Sequence, residues 1–195
     1  IRASVLSFSN MHNHGGLLVD YFRTRKEVFI DQLDWDIYQA DGMEFDQYDT
    51  PQCRWVIVHE YGEVLAGIRL LPTTARCGIY SYMLRDAQRG LLENISRDVL
   101  FMDAPVDPGI WEAARVFITE NVSAARRFDV QQVLVHKLIQ TASDEGAARV
   151  IGIVPAVWAR WLRRLDLSAV PIGPRFRVDG THSQAILFNV HKAMN

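Results

Sequence analysis

The sequence predicts an α/β fold in which helices sandwich a mixed central sheet. The chain has 195 residues, of which 49% are hydrophobic, and this is enough for one domain with a sizeable core. Apolar runs typical of strands alternate with segments of helical period, which is the pattern of a mixed α/β sandwich. Because the chain contains no repeat, linker or low-complexity tract, we expect residues 1–195 to form a single domain.

The first half is expected to begin with a helix and to end with a hairpin. Residues 16–33 carry apolar side chains at near-helical spacing, which predicts an amphipathic helix. Residues 34–53 contain the turn formers of a loop. Two apolar strands follow at 55–59 and 64–71, and Tyr61-Gly62-Glu63 between them predicts a hairpin turn.

The second half is expected to continue the alternation of helices and strands. Residues 149–154 are almost continuously apolar, which is typical of a strand buried on both faces. Gly146 marks the end of the preceding helix, and Pro155 is expected to open the next one, since proline is tolerated in a first helical turn. The predicted elements are helices at 81–93, 128–145 and from 155 onward, strands at 111–119, 149–154 and 184–190, and a loop at 94–109.

Composition excludes several classes of function. The formal net charge of -2 gives no support for a nucleic-acid partner, and no apolar run approaches the ~20 residues that cross a bilayer. Cys53 and Cys77 are expected to be reduced thiols of a cytoplasmic protein. His12 and His14 lack further ligands at metal spacing, so we expect no metal site and a mobile N-terminal segment there. Residues 1–4 show neither an initiator methionine nor a signal peptide, which is typical of a trimmed chain.

An arginine in an unusual position is the first sign of a functional site. Arg69 stands inside an otherwise apolar strand, where a charge is costly unless it is paired. Asp46 and Asp49 lie three residues apart in the turn-rich segment before that strand and add two negative charges to the pattern.

A second pattern lies upstream. Arg25 and Phe29 share a helix face at the spacing i, i+4, and Trp35 follows just past the helix end. Cations, aromatic rings and carboxylates in this order predict a site for a zwitterionic, partly aromatic small molecule. The alternative is an internal network of ion pairs beneath a loop, with the aromatic rings as core.

A longer series of residues carries a family resemblance. It consists of Arg25, Phe29, Trp35, Glu44-Phe45-Asp46-Gln47-Tyr48-Asp49, Arg69-Leu70-Leu71-Pro72-Thr73, Tyr82-Met83-Leu84 and Trp111-Glu112-Ala113-Ala114-Arg115. In this order and spacing, over roughly residues 15–165, the chain resembles the acyl-homoserine-lactone synthases, which make quorum-sensing autoinducers. The resemblance implies a single domain with a fold related to the GNAT acetyltransferases.

The resemblance implies a reaction in two bond-forming steps. The α-amine of S-adenosylmethionine (SAM) attacks an acyl thioester and forms an amide. The carboxylate oxygen of the same molecule then attacks the γ-carbon, which closes the lactone and expels methylthioadenosine. SAM is thus a substrate, no cofactor is implied, and the donor is an acyl carrier protein or an acyl-CoA. Residues of about 15–75 are expected to bind SAM, and residues of about 100–190 the acyl group.

The resemblance also implies roles for single residues. Arg25 or Arg69 is expected to hold the SAM carboxylate by a bidentate fork. Glu112 is the candidate general base for the α-ammonium; the alternative is that it pairs with an arginine and positions it. The residues expected to bind SAM are Arg25, Phe29, Trp35, Asp46, Asp49, Arg69 and Arg115, and those expected to be catalytic are Glu112, Asp46 and Arg115.

Glu112 and Arg115 can serve one site only if their strand is irregular. Side chains three residues apart on a regular strand point to opposite faces. A shared site therefore requires a β-bulge between them, and bulges are common next to active sites.

The acyl group needs an apolar tunnel and its donor needs a docking surface. The tunnel candidates, each of which also fits a plain core role, are Phe101, Met102, Phe117, Leu138, Ile153, Trp158 and Leu162. The expected docking residues for an acidic carrier protein or for CoA phosphates are Arg149, Arg160, Arg163 and Arg164, for which the alternative is a solvated face.

Two other functions compete with this interpretation. The first is a GNAT-type N-acyltransferase that uses acyl-CoA on another amine. Such an enzyme usually binds pyrophosphate with a glycine-rich turn at a helix N-terminus, and no glycine cluster precedes the helices predicted at 128 or 156. The second is a non-catalytic regulator that binds SAM or an acyl group, which would be expected to lose Glu112 or one of the paired acids.

Overall fold

A computed structural model describes residues 1–155, 158, 162, 167–178 and 180–190. Among these described residues, no helix combines the length and the hydropathy of a membrane span. The elements, in chain order, are β1 (Arg2–Leu6), a 3₁₀ helix (Met11–His14), α1 (Leu17–Lys26), a π-helix (Glu27–Gln32), β2 (Gln39–Ala40), β3 (Met43–Glu44), β4 (Arg54–Glu60), β5 (Glu63–Pro72), α2 (Met83–Gln88), β6 (Ile110–Ile118), α3 (Ala124–Asp144), β7 (Arg149–Pro155), β8 (Val170–Val178) and β9 (Thr181–Asn189).

The chain divides into two compact units. Unit 1 contains residues 1–70 and 115–141, and unit 2 contains residues 71–114 and 142–195. The longer strands form a seven-stranded mixed sheet, which confirms the predicted α/β architecture. The division into a SAM-binding part and an acyl-binding part stays a prediction.

In unit 1 the strands are antiparallel. β1 pairs with β4, and β4 pairs with β5. The β4–β5 hairpin turns through Tyr61 and Gly62, whose φ angles are 50° and 89°. Two successive positive φ angles are the conformation of a type I′ turn, which matches the twist of the flanking strands. The predicted strands and the turn between them are confirmed.

The helix expected at 16–33 is confirmed, but its second half has a wider turn. After α1 the chain continues as the π-helix, in which the N–H of Leu33 donates to the carbonyl of Val28 at 3.1 Å. The ring of Phe29 in this segment stacks on Trp35, with 4.8 Å between ring centroids. Single π-turns occur frequently at functional sites, and this one carries an aromatic ring that the sequence analysis selected.

A glycine sets the distance between α1 and the sheet. A Cβ atom on Gly67 of β5 would lie 2.4 Å from Cε2 of Tyr21 and 3.0 Å from Cε1 of Phe117. The rings of Tyr21 and Phe117 themselves pack with centroids 5.7 Å apart. No larger residue fits at position 67 unless these buried rings move.

In unit 2, β6 and β7 are parallel, while β7 with β9 and β8 with β9 are antiparallel. The strand predicted at 149–154 is confirmed, and Val150 and Ile151 are fully buried in it. A Cβ atom on Gly152 would lie 2.5 Å from the carbonyl oxygen of Ala113. Close approach of the β6 backbone therefore requires glycine at this position of β7.

One expectation for the chain was wrong, and another was right only in part. Pro155 does not open a helix; it is the last residue of β7 and lies opposite Ser183 of β9. The helix expected at 81–93 is shorter, because Gly90 takes a φ of 76° and the N–H of Leu91 turns back to the carbonyl of Asp86. His12 and His14 lie in the 3₁₀ helix that follows β1, and the mobility expected of this segment stays a prediction.

Four short or proline-containing strands, β1, β2, β3 and β8, were not predicted. β8 contains Pro171, Gly173 and Pro174, and these residue types usually interrupt strands. β8 is an edge strand of the sheet, where proline is tolerated. Cys53 and Cys77 are free thiols, and burial raises the pKa of Cys53 to about 11.

Replacing Gly67 with valine tests this packing. We expect Gly67→Val to lower the free energy of unfolding by about 1–3 kcal/mol, because the added carbons overlap the Tyr21 ring. Denaturant unfolding measures the change. In the double variant Tyr21→Leu/Gly67→Val the overlap is gone, so the loss should be smaller than the sum of the two single losses; a strictly additive result would contradict the explanation.

Candidate functional site

Unit 1 contains a buried cluster of three arginines and three carboxylates, called the arginine–carboxylate cluster below. Its charges sum to zero, and its members come from α1, β3, the loop after β3, β5 and β6. They are Arg25, Glu44, Asp46, Asp49, Arg69 and Arg115.

Arg25, on the last turn of α1, is enclosed on all sides. Its Nε donates to Oε2 of Glu44 at 2.5 Å and its Nη1 to Oδ1 of Asp49 at 2.8 Å. The guanidinium also lies over the rings of Tyr21 and Phe22, with 5.5 and 5.4 Å from Cζ to the ring centroids. Aromatic faces stabilise a desolvated cation, so Arg25 is bound by both anions and rings.

Arg69 of β5 forms a bidentate pair. Its Nη1 and Nη2 donate to the two carboxylate oxygens of Asp46 at 2.5 and 3.2 Å, and Nη1 also lies 3.0 Å from Oδ2 of Asp49. Asp49 additionally accepts hydrogen bonds from Nε1 of Trp55 and from the N–H of Asp46, both at 2.9 Å. The arginine predicted to need partners therefore has two.

Arg115 is the most exposed arginine of the cluster. Its Nη2 lies 3.2 Å from Oε1 of Glu44 and 3.1 Å from Oδ2 of Asp46. Its side chain is 12% exposed, whereas those of Arg25 and Arg69 are 0% and 1% exposed. Arg115 is therefore the guanidinium that a ligand can reach with the least rearrangement.

Arg115 also faces an aromatic pair. Its Cζ lies 5.7 Å from the centroid of Phe29 and 6.0 Å from that of Trp35. Both distances are within the range of a cation–π contact. The structure thus brings together all seven residues that the sequence analysis assigned to SAM binding, and all seven belong to unit 1.

The backbone of β6 is irregular at Arg115. The parallel pairing with β7 covers Ile110 to Glu112, and Arg115 then takes a φ of 54°. A left-handed conformation is rare for a residue with a side chain, and it departs from the regular geometry of a strand. The β-bulge expected between Glu112 and Arg115 stays a prediction, as does the role of the two residues in one site.

Electrostatics keeps Asp46, Asp49, Arg25 and Arg69 ionised. Burial opposes ionisation of Asp49, but Arg69 and Arg25 outweigh it and hold its pKa well below the ordinary value. Burial likewise opposes ionisation of Asp46, while Arg69 and Arg115 hold its pKa below the ordinary value. Burial also favours neutral arginine, yet Asp49 raises the pKa of Arg25 and Asp46 that of Arg69.

Glu112 is described within unit 2. Its side chain is buried, and its Oε1 and Oε2 accept hydrogen bonds from the N–H groups of Met83 and Leu84 at 2.9 and 2.8 Å. These are the first N–H groups of α2, which have no partner inside the helix. Glu112 therefore holds the start of α2 to β6.

Glu44 is a member of the cluster that sequence reasoning did not assign. It is fully buried and joins Arg25 to Arg115. A charge count offered the signal: three predicted arginines with two aspartates leave one positive charge without a partner, and a buried charge requires one. Trp55 was also missed, and a tryptophan in a strand gives no local sign that its N–H will reach Asp49.

The acyl-tunnel candidates differ in their surroundings. Phe101 and Met102 are 70% and 44% exposed, so they do not lie in an apolar interior. Phe117 and Leu138 are buried in unit 1 and Leu162 is buried in unit 2, while Ile153 and Trp158 are half-buried. The tunnel itself stays a prediction.

Among the docking residues, Arg149 is exposed at the start of β7, whereas Arg160, Arg163 and Arg164 lie outside the described residues.

Comparison with known proteins gives consistent matches. The family model described as autoinducer synthase matches residues 9–187. An acyl-homoserine-lactone synthase of Ralstonia nicotianae is 33% identical over 155 residues, which are 77% of this chain and 71% of that protein. One from Pseudomonas aeruginosa is 27% identical over 179 residues, 90% of this chain and 81% of that protein.

Solved structures show the same fold. The crystal structure of the acyl-homoserine-lactone synthase LasI matches with a TM-score of 0.79 at 21% identity, over 97% of this chain and 89% of that one. BjaI, a CoA-dependent synthase solved with SAM and isopentyl-CoA, matches with 0.75 at 22% identity, over 97% and 84%. An acyl-CoA N-acyltransferase from Pseudomonas aeruginosa matches with 0.60 at 14% identity, over 95% and 97%. The expected GNAT-like fold is confirmed.

Replacing Asp49 tests the energetic weight of the cluster. We expect Asp49→Asn to lower the free energy of unfolding by about 3–5 kcal/mol, since it leaves buried arginines short of one anion. A matched control is Asp31→Asn, which removes the exposed pair with Lys26 and should cost at most about 1 kcal/mol. Denaturant unfolding of both variants provides the comparison, and equal losses would contradict the assignment.

The cluster also predicts a dependence of stability on pH. Because the pKa values of Asp46 and Asp49 are lower in the folded than in the unfolded protein, their contribution is complete above the ordinary carboxyl pKa of about 3.9. It is lost as the pH falls through the folded values. We therefore expect the free energy of unfolding to decrease steadily from about pH 5 to about pH 2. A flat profile in urea unfolding over this range would be incompatible with ionised carboxylates in the cluster.

Proposed function

Because the chain belongs to the autoinducer synthase family and is an acyl-homoserine-lactone synthase, we propose that its arginine–carboxylate cluster holds SAM. The reaction joins the amine of SAM to the acyl group of a thioester and releases methylthioadenosine. One observation carries the proposal: the partly exposed Arg115 lies beside carboxylates and over two aromatic rings. SAM has a carboxylate, two positive centres and an adenine. The guanidinium can bind the first, carboxylates the second, and aromatic rings the positive centres or the adenine.

The carboxylate of SAM is assigned to Arg115. Arg25 and Arg69 are almost completely buried, and each of them, unlike Arg115, has a 2.5 Å contact to a carboxylate oxygen. Neither can present a free bidentate fork without breaking buried ion pairs, which is costly. Arg115 has longer contacts and more exposure, so it can rotate toward a new anion at a lower cost.

Asp46 is assigned to the positive centres of SAM. It is the most exposed carboxylate of the cluster, at 11% against 1% for Glu44 and 3% for Asp49. Its lowered pKa makes it a permanent anion at neutral pH and a weak base. We therefore assign it to fixing the ammonium or the sulfonium by its charge, and not to accepting the ammonium proton.

The acyl transfer and the ring closure make different demands on the protein. In the first step the α-ammonium loses a proton to solvent and its nitrogen attacks the thioester carbon. The carbon–sulfur bond then breaks, and the leaving thiolate takes up the second proton of the amine. In the second step, the carboxylate oxygen attacks the γ-carbon while the bond from that carbon to the sulfonium breaks. A site that holds the carboxylate and the sulfonium in fixed positions favours the second step, because it keeps the reacting atoms in line.

Glu112 is assigned to positioning. Both of its carboxylate oxygens are committed to backbone N–H groups at the start of α2, and a carboxylate so engaged has less freedom to take a substrate proton. Of the two roles that the sequence left open, the hydrogen bonds favour organisation of the backbone over general-base catalysis.

The acyl donor is proposed to be an acyl thioester of either carrier protein or CoA. BjaI, which shares the fold, is CoA-dependent and was solved with isopentyl-CoA, while the docking arginines expected from the sequence suit an acidic carrier protein as well. The two alternative functions, N-acylation of another amine and non-catalytic binding, lack the support of the family assignment.

Product analysis tests the proposal directly. Purified protein is mixed with SAM and a panel of acyl-CoA and acyl-carrier-protein donors, and the products are identified by mass spectrometry. An acyl-homoserine lactone formed together with methylthioadenosine is the expected result, and the best donor names the thioester. Free thiol without methylthioadenosine would contradict the proposal.

Glu112→Gln separates positioning from base catalysis. We expect the melting temperature and kcat to fall together, because an amide cannot accept both N–H groups, while the acidic limb of the pH–rate profile stays in place. The matched control is Tyr82→Phe, which removes the 2.6 Å hydrogen bond to the carbonyl of Pro105 next to α2 and leaves Glu112 intact. A loss of about 10²–10⁴ in kcat at unchanged stability, with loss of the acidic limb, would show that Glu112 is the base.

A further inference from the structure

The position occupied by the Arg115 guanidinium suits any organic cation. The stacked rings of Phe29 and Trp35 lie on one side of it, at 5.7 and 6.0 Å from Cζ. Oxygens of Glu44 and Asp46 lie on another side, at 3.2 and 3.1 Å from Nη2. Aromatic faces and carboxylates recognise positive charge and do not require the hydrogen-bonding fork of arginine.

Arg115 is held less firmly there than the other arginines of the cluster. Its contacts to carboxylate oxygens are 3.1–3.3 Å, whereas each of the other two has at least one of 2.5 Å. It is also the most exposed, and its backbone conformation is left-handed. A weakly held cation over an aromatic pair is one that a competing cation can replace.

We infer that the sulfonium of SAM takes the place of Arg115 over Phe29 and Trp35, so that this pair selects the cationic substrate over its neutral product. The inference rests on the proposed function. Two cations cannot share the pair, because like charges a few ångströms apart repel each other. The displaced guanidinium is then available for the carboxylate of the same SAM molecule.

The charge of the ligands gives the exchange a direction. SAM carries a sulfonium, an ammonium and a carboxylate, whereas methylthioadenosine is an uncharged thioether and the acylated lactone is an uncharged amide. After ring closure no positive charge remains to compete for the rings. Arg115 then returns to them, and its return favours release of methylthioadenosine.

Nuclear magnetic resonance of Arg115 tests the exchange without altering the site. A guanidinium over two rings has Nε–H and side-chain protons shifted upfield by ring currents, and Arg115→Lys identifies the signal. We expect saturating SAM to remove this upfield shift and methylthioadenosine to leave it in place. A signal that keeps its upfield shift when SAM is bound would overturn the inference.

A double-mutant cycle on SAM affinity provides the second test. In the wild type, Trp35→Leu removes contacts of Arg115 and of the sulfonium alike, so the dissociation constant for SAM should change by less than about 2-fold. In an Arg115→Gln background only the sulfonium contact is lost, and the same change should weaken binding by about 5-fold or more. Equal effects in both backgrounds would overturn the inference.

The control variant is Tyr38→Leu. Tyr38 is 64% exposed on the loop after Trp35 and packs on Phe45, whereas the rings at Arg115 are those of Phe29 and Trp35. Its replacement should therefore have the same effect in both backgrounds. Calorimetry of SAM binding to the wild-type protein distinguishes failure of the proposed function from failure of the inference. If SAM does not bind, the proposed function fails and the inference with it; if SAM binds while the Arg115 signal is unchanged, only the inference fails.

Discussion

Mutual neutralisation of buried charge is the constraint on which unit 1 depends. Three guanidinium groups come from α1, β5 and β6, and their three carboxylates come from one short stretch, residues 44–49. A buried charge without a partner costs several kcal/mol, so each arginine fixes that stretch against a different element. The loop after β3 is therefore fixed by the buried ion pairs of Asp46 and Asp49.

The charged side chains of the cluster differ in exposure. Arg25 and Arg69 are buried among carboxylates and aromatic rings. Arg115 and Asp46 are the most exposed members of the cluster, and Arg115 lacks the 2.5 Å contact that each of the other two arginines has. An ion network that is neutral as a whole can give up one contact at its edge and form an equivalent contact with a ligand that carries both signs of charge.

Unit 2 uses a carboxylate differently. The carboxylates of the cluster pair with arginines, whereas Glu112 accepts hydrogen bonds from backbone N–H groups and so joins α2 to β6. Gly152 allows the backbone of β6 to approach β7 closely. Both features fix the backbone just before the irregular position 115, where the chain of unit 1 begins again. The backbone of β6 before Arg115 is therefore fixed by the contacts of Glu112 with α2 and by its close approach to β7.

Local patterns in the sequence were enough for the α/β class, the β4–β5 turn and most helices, because period and turn chemistry are properties of neighbouring residues. They also sufficed to select Arg25, Phe29, Trp35 and Arg69, since charged and aromatic residues in apolar or helical settings need partners. Tertiary structure alone decided that Glu44 completes the cluster and that Arg115 is its reachable cation. It also decided the π-turn at Phe29 and the edge strand β8. These features depend on pairing between distant segments and on burial, and neither leaves a periodic signal along the chain.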